Sequence, residues 1–154
     1  MSSHEVLRVL AALRDVPVWV GGGWGVDALV GRETRAHRDL DLAIDARHEK
    51  LALVKLHELG YVIETDWRPV RVEVGAADER WVDLHPVVFD ETGAGRQAGL
   101  DGTSFDYPAD GFTSGFIGGR SVPCLSVRQQ LIFHGGYAPR AHDVADIELL
   151  RSLR

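Results

Sequence analysis

The sequence predicts an α+β fold, a mixed β-sheet flanked by helices, formed by residues 1–154 as a single domain. Three observations carry that expectation. Helix and strand patterns alternate through the first sixty residues, most of the changes marked by Gly or Pro. Further on, short apolar runs follow one another with turn residues between them, which is the pattern of antiparallel strands. A chain of 154 residues, 45% hydrophobic and 26% charged, suits one core and would hold a second only with difficulty.

Taken in order, Ser2 and Glu5 have capping-box spacing, and Val6, Leu7, Leu10 and Leu13 then repeat as one face of a helix ending before Pro17. Val18-Trp19-Val20 reads as a buried strand that runs into Gly21-Gly22-Gly23. Residues 24–30 are helical in character and stop at Gly31, a C-cap glycine. A polar loop, 31–38, leads to a strand at 39–45, where Leu40, Leu42 and Ile44 alternate with Asp39, Asp41 and Ala43. A helix over about 47–59 closes at Gly60, strands follow at 61–65 and 69–75, and Trp67 falls in the polar turn between them. The next strand, 80–89, puts Trp81, Asp83 and His85 on one side and Val82 and Leu84 on the other. Residues 90–110 have little periodicity and predict a long functional loop or a loosely paired hairpin. Gly118-Gly119 joins strands at 112–117 and 121–125, Ser126 caps a helix over 127–134, and 140–153 is a last helix.

The bulk properties exclude several classes. Seventeen Lys and Arg against 23 Asp and Glu leave a formal charge of -6, so no nucleic acid partner is expected and polymerase or tRNA-end chemistry is disfavoured. The acidic balance would suit a cationic small-molecule substrate, and it serves solubility equally well. Cys124 alone excludes an intrachain disulfide and a multi-thiolate zinc site. No basic-then-apolar leader and no run of ~20 apolar residues is present, so the expectation is a reduced, cytoplasmic compartment without a membrane role.

The chemistry is concentrated in the glycines and three acids. Gly22 and Gly23 ahead of a helix let backbone N–H groups approach a polyanion, which the helix N-terminus also favours. No Gly-Lys-Ser or Gly-Lys-Thr follows, so this is no Walker loop, and the third glycine of a dinucleotide fingerprint is missing. Asp39 and Asp41 lie about 7 Å apart along one strand face, and with Asp83 beside them three negative charges meet. At 4 Å each pair repels by ~4 kcal/mol at an effective dielectric of 20. Two Mg2+ ions, with Mn2+ as the substitute, are the natural partners of such an oxygen-only set. Among the cations of the loop, Arg38 is the candidate for phosphate. His85, Trp67 and Arg140 are candidates for substrate contact, each with a competing reading: a hydrogen-bonded structural His, a packing residue and a helix cap.

Gly22-Gly23-Trp24-Gly25-Val26-Asp27-Ala28-Leu29, Gly31-Arg32-Glu33-Thr34-Arg35, His37-Arg38-Asp39-Leu40-Asp41, Val82-Asp83-Leu84-His85-Pro86 and residues 137–146 together resemble the nucleotidyltransferase superfamily that includes DNA polymerase beta. More closely, they look like the small lincosamide nucleotidyltransferases and the aminoglycoside 2''-nucleotidyltransferases. The resemblance implies a nucleotidyltransferase fold and transfer of NMP from a magnesium-bound NTP, ATP first among them, to a hydroxyl of a small antibiotic, with release of pyrophosphate. It implies that Asp39 and Asp41 bind the metals, that Gly22 and Gly23 cradle the phosphates, and that Asp83 is the general base and touches a metal. A lincosamide is the leading acceptor and an aminoglycoside the alternative. One position departs from the pattern: His142 stands where relatives often carry Lys, and a neutral imidazole grips phosphate less firmly. A homodimer is expected because the sheet face needs a second wall, supplied by the partner or by residues 90–110. From another class, a non-catalytic nucleotide-binding domain or toxin–antitoxin component would keep the fold, although the intact acid trio argues against it.

Overall fold

Strand pairing is what assembles the predicted site. A computed structural model describes all 154 residues, with helices α1 (Ser3–Ala12), α2 (Gly22–Val30), α3 (Glu49–Glu58), α4 (Val127–His134) and α5 (Ala141–Ser152). The strands are β1 (Val18–Val20), β2 (Asp39–Asp45), β3 (Val62–Trp67), β4 (Arg71–Ala76), β5 (Arg80–Phe89), β6 (Gly95–Ala98), β7 (Ser104–Tyr107), β8 (Phe112–Ile117) and β9 (Arg120–Leu125). They form one sheet in the order β3-β4-β5-β2-β1-β9-β8, with β6 and β7 running on from the far end of β5. The β2–β5 and β1–β9 pairs are parallel and the others antiparallel, so the sheet is mixed as expected.

Alternation decides which side of the sheet is dry. Leu40, Leu42, Ile44, Val72, Val74, Val82 and Leu84 share one face, buried with Val6 and Val9 of α1, Leu13 just after it, and Ala52 and Leu56 of α3. Their partners in alternation, Asp39, Asp41, Asp83 and His85, necessarily emerge on the other face. A smaller apolar group there, Ala43, Val87, Tyr107 and Leu125, packs with Trp19, Phe89, Phe112 and Phe133 at the end of the sheet beyond the acids.

The local signals account for most boundaries. The Ser2 side chain accepts from the Glu5 N–H, and Ser126 does the same for Gln129. Gly31 closes α2 in the left-handed region with φ 82°, and Gly60 after α3 has φ 91°. Two elements differ from the sequence reading, and a third decides between the alternatives it left open. Trp67 lies within β3 rather than in a turn, because β3 continues antiparallel to β4 as far as the Trp67–Arg71 pair. Residues 90–110 contain the β6–β7 hairpin, the second of the two forms expected for them; the period-two pattern of four-residue strands was too short to choose it over a loop. The helix predicted from 47 begins as a single 3-10 turn, Ala46–His48, whose start is capped by the Asp45 carboxylate. No helix is long and apolar enough to cross a membrane.

Candidate active site

The loop that delivers the acids is fastened before it reaches them. Asp27, almost wholly buried on α2, accepts from the Thr34 N–H at 3.1 Å and the Thr34 hydroxyl at 2.5 Å, and its second oxygen lies 2.5 Å from His37 Nε2. Trp24 packs against the His37 ring with centroids 4.8 Å apart. Arg35 bonds Asp146 of α5 through Nη2 at 2.7 Å, and His134 of α4 faces the same carboxylate at 3.7 Å. The polar residues of 31–38 are thus largely a clamp.

The glycines are shaped by these neighbours. Gly22 has φ 55°, and a Cβ on it would fall on the Asp41 carboxylate. A Cβ on Gly23 would fall on the His37 ring and come within 2.9 Å of Arg35 Nη2. The Gly21 N–H donates to the Asp41 carbonyl at 2.9 Å, which ties the start of α2 to β2. The first turn of α2 therefore opens beside Asp41, with no side-chain cap on its N-terminus. Arg35, rather than Arg38, is the cation next to this turn. Arg38 lies over the Trp81 ring and pairs with Asp39 at 3.2 Å and Glu73 at 3.7 Å.

Register brings the acids together. Asp41 sits opposite Asp83 in the parallel β2–β5 pair, and Asp83 opposite Glu73 in the β4–β5 pair. Donor atoms of Asp41, Asp83 and His85 lie within 4.8 Å of one another. Asp39 is on the same face but outside that trio, held by Arg38. Asp83 is 9% exposed, contacts Arg71, and has His85 Nε2 at 3.7 Å. Burial, with the Asp41 charge adding to it, pushes the Asp83 carboxyl up despite His85 and Arg71, and burial with Asp41 does the same to Asp39. For His85, burial works against protonation, but Asp41 and Asp83 outweigh it and the net direction is upward.

A divalent cation fits here on chemical grounds. Asp83 Oδ1 is buried with no hydrogen-bond partner, an acceptor left unsatisfied beside Asp41 on the same sheet face. Carboxylate oxygens from Asp39, Asp41 and Asp83 make a hard donor set. Glu73 and Arg71 belong to this face too; the Arg71-Val72-Glu73-Val74 alternation was the signal for them, but nothing in sequence gave β4 its place beside β5. One face of the Trp67 ring packs against the Arg71 guanidinium at 4.8 Å while the residue stays 51% exposed, and it does not line the cleft beside the acids. Arg140 is the N-cap of α5, its N–H and guanidinium both bonded to Asp143, and His142 lies 3.5 Å from Asp143 as well.

Beside the acids opens a cleft of about 320 Å³. Gly21, Gly22, Asp41 and His85 form its floor, and Phe105, Tyr107, Phe133 and Tyr137 are its aromatic side chains. The β6–β7 hairpin supplies the wall that the sequence reading assigned either to this segment or to a partner copy. Asp41 is the sole carboxylate of the lining.

Comparison with known proteins finds relatives over the whole chain. A family described as aminoglycoside-2''-adenylyltransferase matches residues 4–150. A lincosamide resistance protein of Staphylococcus haemolyticus is 38% identical over 99% of this chain and 96% of its own length. A 2''-aminoglycoside nucleotidyltransferase of Klebsiella pneumoniae is 44% identical, over only 34% of this chain and 30% of that protein. Among solved structures, lincosamide antibiotic adenylyltransferase LnuA with lincomycin bound superposes with a TM-score of 0.89 at 35% identity, covering 100% of this chain and 99% of that one. ANT(2'')-Ia in complex with adenylyl-2''-tobramycin shares the fold at a TM-score of 0.77 and 22% identity, over 97% of this chain and 87% of that one.

Proposed function

This chain belongs to the aminoglycoside-2''-adenylyltransferase family, a family of nucleotidyltransferases, and on that premise we propose that it transfers AMP from ATP to a hydroxyl of a lincosamide. The observation that carries the acceptor class is the cleft lining. Four aromatic side chains and a single carboxylate, Asp41, suit a largely apolar ligand with few charges. An aminoglycoside would bring several ammonium groups into a cleft whose lining offers one carboxylate, Asp41, itself assigned to the metal.

Asp39, Asp41 and Asp83 would hold the magnesium. When bound, it would neutralise the triphosphate and acidify the acceptor hydroxyl. The open N-terminal turn of α2 at Gly22 and Gly23, with Arg35 beside it, receives the phosphates. Asp83 takes the hydroxyl proton as the acceptor oxygen bonds to the α-phosphorus and the bond to pyrophosphate breaks.

The test is a mass-spectrometric screen with Mg2+ and mixed NTPs against lincomycin and tobramycin. A nucleotidyl mass gain on lincomycin, lost in Asp41→Ala and reduced ~10²-fold or more in Asp83→Asn with nucleotide binding retained, is the expected result. Gain on tobramycin alone would overturn the acceptor, and gain on neither would overturn the reading.

A further inference from the structure

Asp41, Asp83 and His85 together look like a mixed carboxylate–imidazole metal site, yet one buried amide decides otherwise. Gln97 of β6 is 6% exposed and reaches back to β5. Its Nε2 lies 3.1 Å from the Val70 carbonyl and 3.2 Å from His85 Nδ1, and its Oε1 accepts from the Tyr107 hydroxyl at 2.6 Å. A carbonyl has no hydrogen to give, so the nitrogen end of the amide must face Val70. The same NH2 group then donates its other hydrogen to His85 Nδ1, which must present a lone pair. A neutral imidazole with its lone pair on Nδ1 carries hydrogen on Nε2, the atom 3.3 Å from Asp41 Oδ1 and 3.7 Å from Asp83 Oδ2. The chain of donors, Tyr107 to Gln97 to His85 to Asp41, has one direction and leaves no acceptor facing an acceptor.

We propose that Gln97 is a positioning residue that keeps the His85 nitrogen off the metal, so that an ion at Asp41 and Asp83 is held through oxygen alone. His85 becomes a donor that orients the Asp41 carboxylate. An oxygen-only set suits Mg2+ or Mn2+, whereas a free imidazole lone pair among the acids would favour Zn2+ and other nitrogen-seeking ions. The inference deepens the metal-dependent reading above and rests on it.

Two spectroscopic measurements on the full chain test it. With 15N-labelled histidine, long-range N–H correlation spectra read the His85 tautomer, assigned by the resonance lost in His85→Gln. With Mn2+ and pyrophosphate bound, electron-spin-echo modulation reads any imidazole nitrogen on the metal. The expected results are hydrogen on Nε2 and no ligated nitrogen. In Gln97→Glu the carboxylate accepts from Nδ1 instead, frees Nε2, and a ligated-nitrogen signal appears, with Zn2+ binding strengthened about tenfold relative to Mg2+. Hydrogen on Nδ1 alone in the wild type, a ligated nitrogen there that vanishes in His85→Gln, or a Gln97→Glu protein that binds Mn2+ unchanged would each overturn the proposal. Should that variant not fold, the wild-type spectra decide by themselves. Failure of Mn2+ to bind would instead remove the metal reading, and the tautomer spectrum, which needs no metal, would still judge Gln97.

Discussion

At the scale of single residues, the difference between Gly22 and its neighbours is one of available space. Its φ of 55° is a conformation that costs an L-residue about 1–2 kcal/mol, and the Asp41 carboxylate already occupies the place of a Cβ. Gly22→Ala is therefore expected to displace Asp41 and to remove nearly all nucleotidyl transfer while lowering stability by only about 1–3 kcal/mol. Steady-state transfer measured beside chemical denaturation separates the two, and retained activity in the Gly22→Ala variant would show that the turn tolerates a side chain. Asp27, Thr34 and His37 illustrate the reverse case. They sit inside the stretches that carry the resemblance, but their hydrogen bonds go to one another, and their part is to hold the strand that follows.

At the scale of elements, the β6–β7 hairpin is where the sequence reading was weakest and the structure most informative. Four-residue strands give two cycles of a period-two pattern, too few to distinguish from a loop. Once paired, the hairpin places Gln97 over His85 and Phe105 and Tyr107 against Phe133, whose ring centroids lie 6.0 Å and 5.1 Å away. Phe105 is 45% exposed at the cleft, so its ring is available to a ligand. Phe105→Ala is expected to raise KM for the lincosamide several-fold, in line with the 0.5–1.5 kcal/mol of an aromatic contact, with KM for ATP unchanged. Equal changes in both constants would place Phe105 outside the acceptor site.

At the scale of the whole molecule, Asp146 joins three separate pieces of chain: α5, the loop through Arg35, and α4 through His134. Burial raises its carboxyl, but the bonds from His134 and Arg35 outweigh that and hold it at about 2. His134 is raised in return, chiefly by Asp146. A carboxyl depressed in the folded state stabilises above the unfolded value of about 3.9, and that contribution is lost as pH falls through about 2. The imidazole, raised, stabilises below about 6.5 and loses its contribution as pH climbs through its folded value. The triad is thus complete between about pH 4 and 6.5. Asp146→Asn is expected to cost about 2 kcal/mol in that window and to flatten the acid side of the stability profile. Denaturation midpoints followed from pH 2 to 8 check this, and parallel curves for both proteins would show that the triad does not govern stability.

Periodicity along the chain determined most of what is local: β1, β2, β5, the β8–β9 hairpin, α4, and the fact that Asp39 and Asp41 share a face opposite Leu40 and Leu42. The reaction class came with the family resemblance, which is carried by stretches that are each local in sequence: the glycine turn, Asp39-Leu40-Asp41 and Val82-Asp83-Leu84. The tertiary structure alone decided which strands are neighbours, hence that Asp83 stands across from Asp41 with Glu73 beyond it, that Arg35 and not Arg38 borders the glycine turn, and that Gln97 faces His85. Those are distances between segments far apart in sequence, fixed by register and packing, and a one-dimensional pattern carries the face of a side chain but not the identity of what it meets.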